Sequence, residues 1–176
     1  KKSIVAKETI RKSSDIAGPW MVSFDAEYRG PKDPVVFEKL TDWSESDNKE
    51  VKYYSGEAIY RKDVKLSVRK DARYEIEFDQ VCDLAEVKIN GKLCGTIWTK
   101  PYRLDITEAV RNGQNIIEVT VANTWANRIM GDEDFGAENV EANKIWTNAR
   151  YRMQEKKLQK SGLIGSVRIV EKVKDK

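Results

Sequence analysis

The sequence predicts an all-β chain, an antiparallel β-sandwich of the jelly-roll kind. Three observations predict it. Apolar residues alternate with polar ones at period two along most of the chain, as half-buried strands require. The alternating runs are short and regularly spaced, with turn residues between them. Repeated strand–helix alternation is missing, which argues against a parallel doubly wound sheet.

The elements follow in order. Trp20, Val22 and Phe24 share one face of a short strand. Ala58, Tyr60, Val64 and Leu66 define a longer strand, with an irregularity expected near Lys62. Tyr74, Ile76 and Phe78 alternate with Glu75, Glu77 and Asp79, whose carboxylates are expected to face solvent. Ala85, Val87 and Ile89 run into Asn90-Gly91, the residue pair of a two-residue type I′ hairpin. That turn places Ile89 opposite Lys92 and Cys94 opposite Val87, with the return strand running from Leu93 to Trp98. Tyr102, Leu104 and Ile106 alternate again. A turn at Asn112-Gly113 leads into Ile117, Val119 and Val121, and Val167 and Ile169 mark the last strand. Gly95 falls inside a strand pattern, where a bulge or close packing is expected. Residues 26–50 read mostly as loop, with a solvated acidic run around Trp43. Residues 132–160 form a long polar excursion, and Ala149 to Lys160 is its best helix candidate.

Composition narrows the function. The 176 residues include 32 basic and 29 acidic side chains, a net charge of only +3, and no histidine. The missing imidazole removes histidine-based hydrolase triads and His-ligated zinc. Interleaved charges of nearly equal number are a solvated surface rather than a basic stripe, so no nucleic-acid partner is expected. No apolar run approaches the ~18 residues of a membrane span, so no membrane partner is expected either. The start at Lys1 reads as an excised piece or processed product of a longer polypeptide. One domain over residues 1–176 is the expectation. Cys82 and Cys94 are predicted to be free thiols, because the hairpin separates them by roughly 16 Å along the strand and a disulfide needs about 7 Å or less.

The acids single out no catalytic pair. Asp42 to Asp47 has oxygens at alternate positions, but a calcium loop counted from Asp42 lacks its glycine and its final glutamate. The aromatics are the better candidates. Trp98, Tyr102 and Trp125 fall at strand ends, beside Asn123, Asn127, Arg128 and Asp132. Flat apolar rings next to amide, guanidinium and carboxylate groups suit sugar recognition, the ring stacking on a pyranose and the polar groups taking hydroxyls. Composition alone favours the other reading, in which the tryptophans fill the core or an interdomain seam and the Arg and Asn side chains tie down loops.

Four motifs in order carry a resemblance. Ser55-Gly56-Glu57-Ala58-Ile59-Tyr60-Arg61-Lys62 resembles the G-x-A-x-Y-R/K signature in the sugar-binding domain of glycoside hydrolase family 2. Leu84 to Lys92 resembles that domain's A-x-V-x-x-N-G hairpin, and Pro101-Tyr102-Arg103-Leu104-Asp105-Ile106-Thr107 its P-[FY]-x-x-D-[IV]-T strand. Arg111 to Asn115, followed by Ile117-Glu118-Val119, resembles its K-x-G-x-N-x-L-x-[IV] turn and strand. The flanks Trp20–Phe24, Phe37–Trp43, Asn123–Arg128 with Gly131-Asp132, and Ser161–Gly165 are similar to one subset. That subset is the C-terminal galactose-binding-like module of bacterial family 106 rhamnosidases and related proteins assigned as β-galactosidases. Gly165-Ser166-Val167 departs from the Gly-Pro-Val expected there.

The resemblance implies a galactose-binding-like jelly roll without catalytic carboxylates. It would be an accessory module of a bacterial glycoside hydrolase that docks on the catalytic domain of the same polypeptide, with carbohydrate as a further partner. It implies export to the periplasm or cell surface. Such sandwiches often carry a structural calcium, but no loop here demands one, so no cofactor or metal is expected.

Overall fold

A computed structural model describes residues 8–134 and 157–174. Among these residues ten strands form two antiparallel sheets. They are β1 (Glu8–Asp15), β2 (Trp20–Phe24), β3 (Val35–Phe37), β4 (Glu57–Leu66), β5 (Ala72–Cys82), β6 (Leu84–Ile89), β7 (Lys92–Ile97), β8 (Arg103–Asp105), β9 (Gly113–Ala122) and β10 (Gly162–Lys174). One sheet has the order β1-β10-β5-β8 and the other β3-β2-β4-β9-β6-β7. Among the described residues two α-helices, α1 (Lys49–Lys52) and α2 (Ala126–Asp134), lie in the connections. The expected β-sandwich is therefore present, and β1 and β3 add to the strands the alternation predicted. The helix expected over 149–160 falls largely outside the described residues, and 157–160 carry no regular structure.

Alternation builds the core as period two demands. Trp20, Val22 and Phe24 of β2, Ala58 and Tyr60 of β4, Ala85, Val87 and Ile89 of β6 and Ile117, Val119 and Val121 of β9 are all buried. They face Tyr74, Ile76 and Phe78 of β5 and Val167 and Ile169 of β10 across the sandwich. β4 pairs with β9 without interruption from Glu57↔Ala122 to Leu66↔Gly113, so the irregularity expected at Lys62 is absent. Lys62 occupies an inward position, and its ammonium escapes by donating to the Pro19 carbonyl at 2.9 Å.

The Asn90-Gly91 turn has positive φ at both residues, as type I′ requires. Ile89 does pair with Lys92, but Val87 pairs with Gly95, not Cys94. Cys94 is the extra residue of a bulge. Gly95 adopts φ +150°, and an added Cβ would sit 3.2 Å from the Leu104 side chain. Both readings of this glycine, bulge and close packing, are realised. Asn90 also explains why two Asn-Gly turns lie near one another. Its amide donates to Asn115 Oδ1 at 2.9 Å and to the Ala109 carbonyl at 2.8 Å, while Ile116 N–H donates back to its Oδ1 at 3.0 Å. Asn115 is fully buried and engages Arg111 and Gly113, which fixes the second turn.

A second bulge sits where the sequence departs from Gly-Pro-Val. Gly165 and Ser166 together oppose Asp79, and Gly165 adopts φ +90°. Ser166 N–H donates to Asp79 Oδ2 at 2.7 Å, a bond proline could not make.

Of the β5 carboxylates expected to face solvent, Glu75 does not, and Glu171 of β10 is buried as well. Glu75 is buried and paired with Lys172 at 2.5 Å, and Glu171 is buried against Arg11 at 2.7 Å. Cys82 and Cys94 are both free thiols.

Candidate functional site

The reading of residues 26–50 as mostly loop misses the main polar cluster that this loop carries. Trp43 is completely buried, and Asp42 is nearly so. Asp42 caps a short 3-10 turn over Trp43–Glu45, accepting from Ser44 N–H at 3.0 Å. Its Oδ1 also accepts from Ser161 N–H at 3.0 Å, while Trp43 N–H donates to the Ser161 carbonyl at 3.1 Å. Asp42 and Trp43 are thus held inside by a partner 119 positions away, while Glu45 and Asp47 of the same run stay exposed, as the solvated reading expects. The Trp43 indole donates to the Tyr60 hydroxyl at 2.6 Å and stacks on its ring with an interplanar angle of 12°. Leu163 N–H donates to the same hydroxyl at 3.1 Å. Burial drives the Tyr60 phenol strongly up, so it stays neutral.

Two of the predicted polar residues, Asn123 and Asn127, reach this cluster, and Arg128 and Asp132 bind beside it. Asn123 Nδ2 and Asn127 Nδ2 each donate to Ser161 Oγ at 3.0 Å. Asn123 also accepts from Gly56 N–H at 2.9 Å and donates to the Tyr54 carbonyl at 2.9 Å. Asn127, 1% exposed, pairs with the Gln159 backbone through both of its amide atoms, each at 2.7 Å. Arg128 and Asp132 lie one turn apart on α2 and bond at 3.1 Å. Arg128 also donates to the Tyr28 carbonyl at 2.6 Å, and Arg29 donates to Asp132 at 2.5 Å. Burial and the neighbouring Arg29 charge lower the Arg128 pKa, opposed by Asp132. Asn127, Arg128 and Asp132 are buried and tie α2 to the Tyr28-Arg29 turn and to Gln159–Ser161. Their geometry is that of loop fixation. Asn123, half-buried, does the same for the start of β4.

The aromatics behave differently. Trp98 is 72% exposed, and Trp125 and Tyr28 are each 45% exposed. The rings of Trp125 and Tyr28 meet edge to face at 5.8 Å. The ladders bring Ala122 beside Leu84, and Ala85 beside Ile97. The ends of β9 and β7, from which the chain runs on to Trp125 and Trp98, therefore lie at the same end of the six-stranded sheet, two strand spacings or about 10 Å apart. Leu84, also partly exposed, lies between them. Tyr102 is half-buried against the core, on a strap from Trp98 to Arg103 that joins β7 to β8. The strap is anchored by the buried Ile97 at one end and by Phe78 N–H donating to the Tyr102 carbonyl at 2.9 Å at the other. Tyr28 and Leu84 were not singled out by sequence, because nothing local marks their exposure. Asp105 and Thr107 of the P-Y-x-x-D-I-T motif are structural. Thr107 N–H donates to Asp105 at 2.9 Å, and Tyr74 N–H donates to Thr107 Oγ1 at 2.9 Å.

Among the described residues no group of three or more Cys, Asp or Glu could hold a metal ion. Three carboxyls with displaced proton affinity, Asp71, Asp79 and Asp105, are displaced downward. For Asp79 the chief cause is the Ser166 N–H, aided by Arg168. These are acids held ionised, the opposite of what a general acid needs.

Known proteins of similar sequence and shape agree with this architecture. The family described as "Glycosyl hydrolase 2 galactose-binding domain-like" matches residues 38–161. A protein of Formosa agariphila named "Putative beta-glucuronidase" is 40% identical over 121 residues, covering 67% of this chain and 10% of that protein. The rhamnosidase from Novosphingobium sp. PP1Y superposes with a TM-score of 0.83 at 35% identity, covering 97% of this chain and 16% of that one. The β-D-glucuronidase of Dictyoglomus thermophilum shares the fold, with a TM-score of 0.65 at 19% identity over 98% of this chain and 29% of that one. The chain thus spans about a tenth of its curated relative and less than a third of either solved enzyme. With its Ser55–Val121 motifs matched in order inside a two-sheet sandwich, the chain belongs to the glycosyl hydrolase 2 galactose-binding domain-like family.

Proposed function

We propose that this chain is a non-catalytic accessory module of a bacterial glycoside hydrolase, of the β-galactosidase or α-L-rhamnosidase type, acting in carbohydrate degradation. It docks on the catalytic domain of the same polypeptide. The observation that carries the reading is a division of labour. The buried acids Asp42, Glu75, Asp132 and Glu171 are all held by fixed N–H groups or cations. Trp98, Trp125 and Tyr28, in contrast, are exposed together at one end of the sandwich. Exposed large rings gathered at a rim suit a contact surface, since their burial supplies most of the energy of a typical interface. The polar residues behind them hold that surface in shape. As part of the same proposal, the parent enzyme works in the periplasm or at the cell surface, which fractionation of the source bacterium would check.

A second reading is an autonomous carbohydrate-binding module, favoured by the 72% exposure of Trp98. Tryptophan emission separates the two. Docking predicts a blue shift when this chain is mixed with the catalytic domain of its parent, weakened roughly tenfold or more by W98A/W125A. The autonomous module predicts no shift on mixing and a clear one with galactosides, rhamnosides or plant polysaccharides. Turnover of an aryl glycoside by this chain, abolished by changing one carboxylate, would overturn the non-catalytic reading.

A further inference from the structure

A groove of about 550 Å³ opens where the Trp98–Arg103 strap leaves β5, within the size range of ligand clefts. Pro101 and the half-buried Tyr102 give it an apolar wall, with Phe78 turned into the core behind them. Five charged side chains complete the lining, and their pairing is uneven. Asp79 is taken up twice, by Ser166 N–H at 2.7 Å and by Arg168 at 2.7 Å. Glu77 lies 4.0 Å from the same Arg168. The two acids therefore share one internal cation. Lys100 and Arg103, both exposed, make no side-chain hydrogen bond or ion pair among the described residues. Arg103 stands in register with Glu77 on the β5–β8 ladder without pairing to it. The groove thus combines an aromatic wall, two uncommitted cations and a backbone strap fixed at both ends.

We infer that this groove binds an anionic saccharide, a sugar carrying a carboxylate or sulfate group. The apolar wall takes the C–H face of the ring, and Lys100 and Arg103 take the anion through charge-assisted hydrogen bonds. Arg103 can hold a carboxylate or sulfate through two parallel N–H donors, and Lys100 adds a mobile point charge. The inference rests on the carbohydrate role proposed above only in taking the ligand to be a sugar, and it does not need the docking role.

Calorimetric titration of this chain with tetragalacturonate, a sulfated galactan oligosaccharide and cellotetraose tests it. At least one anionic probe should bind at millimolar or lower concentration, with affinity falling as salt is raised. K100A/R103A should weaken that binding roughly tenfold or more, and K100R/R103K should restore most of it. The better of the two anionic probes identifies the anion. Equal binding of cellotetraose, anionic binding indifferent to K100A/R103A, or no anionic binding would each overturn the groove. Binding lost in W98A/W125A but kept in K100A/R103A would overturn it in favour of the aromatic rim. Failure of the mixing experiment with anionic binding intact would overturn docking and support the groove.

Discussion

Tyr60→Phe should be among the most damaging single-atom deletions in this protein. The hydroxyl receives two buried donors, the Trp43 indole at 2.6 Å and Leu163 N–H at 3.1 Å. Trp43 and Leu163 are both essentially inaccessible, so no water can replace the lost acceptor. Each orphaned buried donor costs about 1–3 kcal/mol, which gives about 4 kcal/mol for the pair. At a urea slope of about 2 kcal/mol/M the midpoint should fall by roughly 2 M. The structure also predicts non-additivity. In a Trp43→Phe background only Leu163 N–H is orphaned, so the same deletion should cost about 2 kcal/mol, a coupling of about 2 kcal/mol. Urea unfolding of the four proteins, followed by circular dichroism, measures the cycle. A loss below about 1 kcal/mol for Tyr60→Phe alone, or equal losses in both backgrounds, would refute the claim that this hydroxyl serves both donors.

Three further outcomes follow from other sites. Asn127→Ala removes both amide bonds to Gln159 and one to Ser161, and should cost about 3 kcal/mol while leaving saccharide titrations unchanged; altered saccharide binding at preserved stability would give the side chain a direct ligand role. Asp79 has a folded pKa held below its ordinary value, so its contribution is present above about pH 4 and lost as pH falls through the folded value; Asp79→Asn should flatten the acid limb of the stability–pH curve, and an unchanged limb would refute the assignment. Burial pushes the Cys82 thiol up to about 11, whereas Cys94 is only half-buried at its bulge. A thiol reagent at mildly alkaline pH should therefore label Cys94 first and Cys82 only on unfolding, as mass spectrometry of the labelled peptides would show.

The strands were legible because their signal is local. Trp20–Phe24, Tyr74–Phe78 and Ala85–Ile89 each alternate within a few residues, and the pleat turns that alternation directly into an inside and an outside. The two Asn-Gly turns were legible for the same reason, since positive φ is a property of the turn residues themselves. Cys94 shows where local reading stops. The turn sets the first pairs, but beyond them Cys94 is left without a partner on the ladder and Val87 meets Gly95, which lies close against Leu104 of another strand. β1 was not legible because it is an edge strand with mostly exposed side chains and no alternation to read.

By itself the sequence determined the fold class, the hairpins, the thiol state and the family motifs, all of which depend on residues near one another in the chain. Only the tertiary structure decided which candidate residues are buried and which remain exposed. Asn123, Asn127, Arg128, Asp132 and Trp125 are neighbours in sequence with similar polar surroundings. Ser161 and Gln159, more than thirty positions away, draw Asn127 inward, and Tyr28 and Arg29 from the other end of the chain draw in Arg128 and Asp132. Trp125 makes no side-chain hydrogen bond among the described residues and meets the edge of the Tyr28 ring, and it stays 45% exposed. A buried polar group must find a fixed partner while an exposed ring need not, and those partners come from distant parts of the chain.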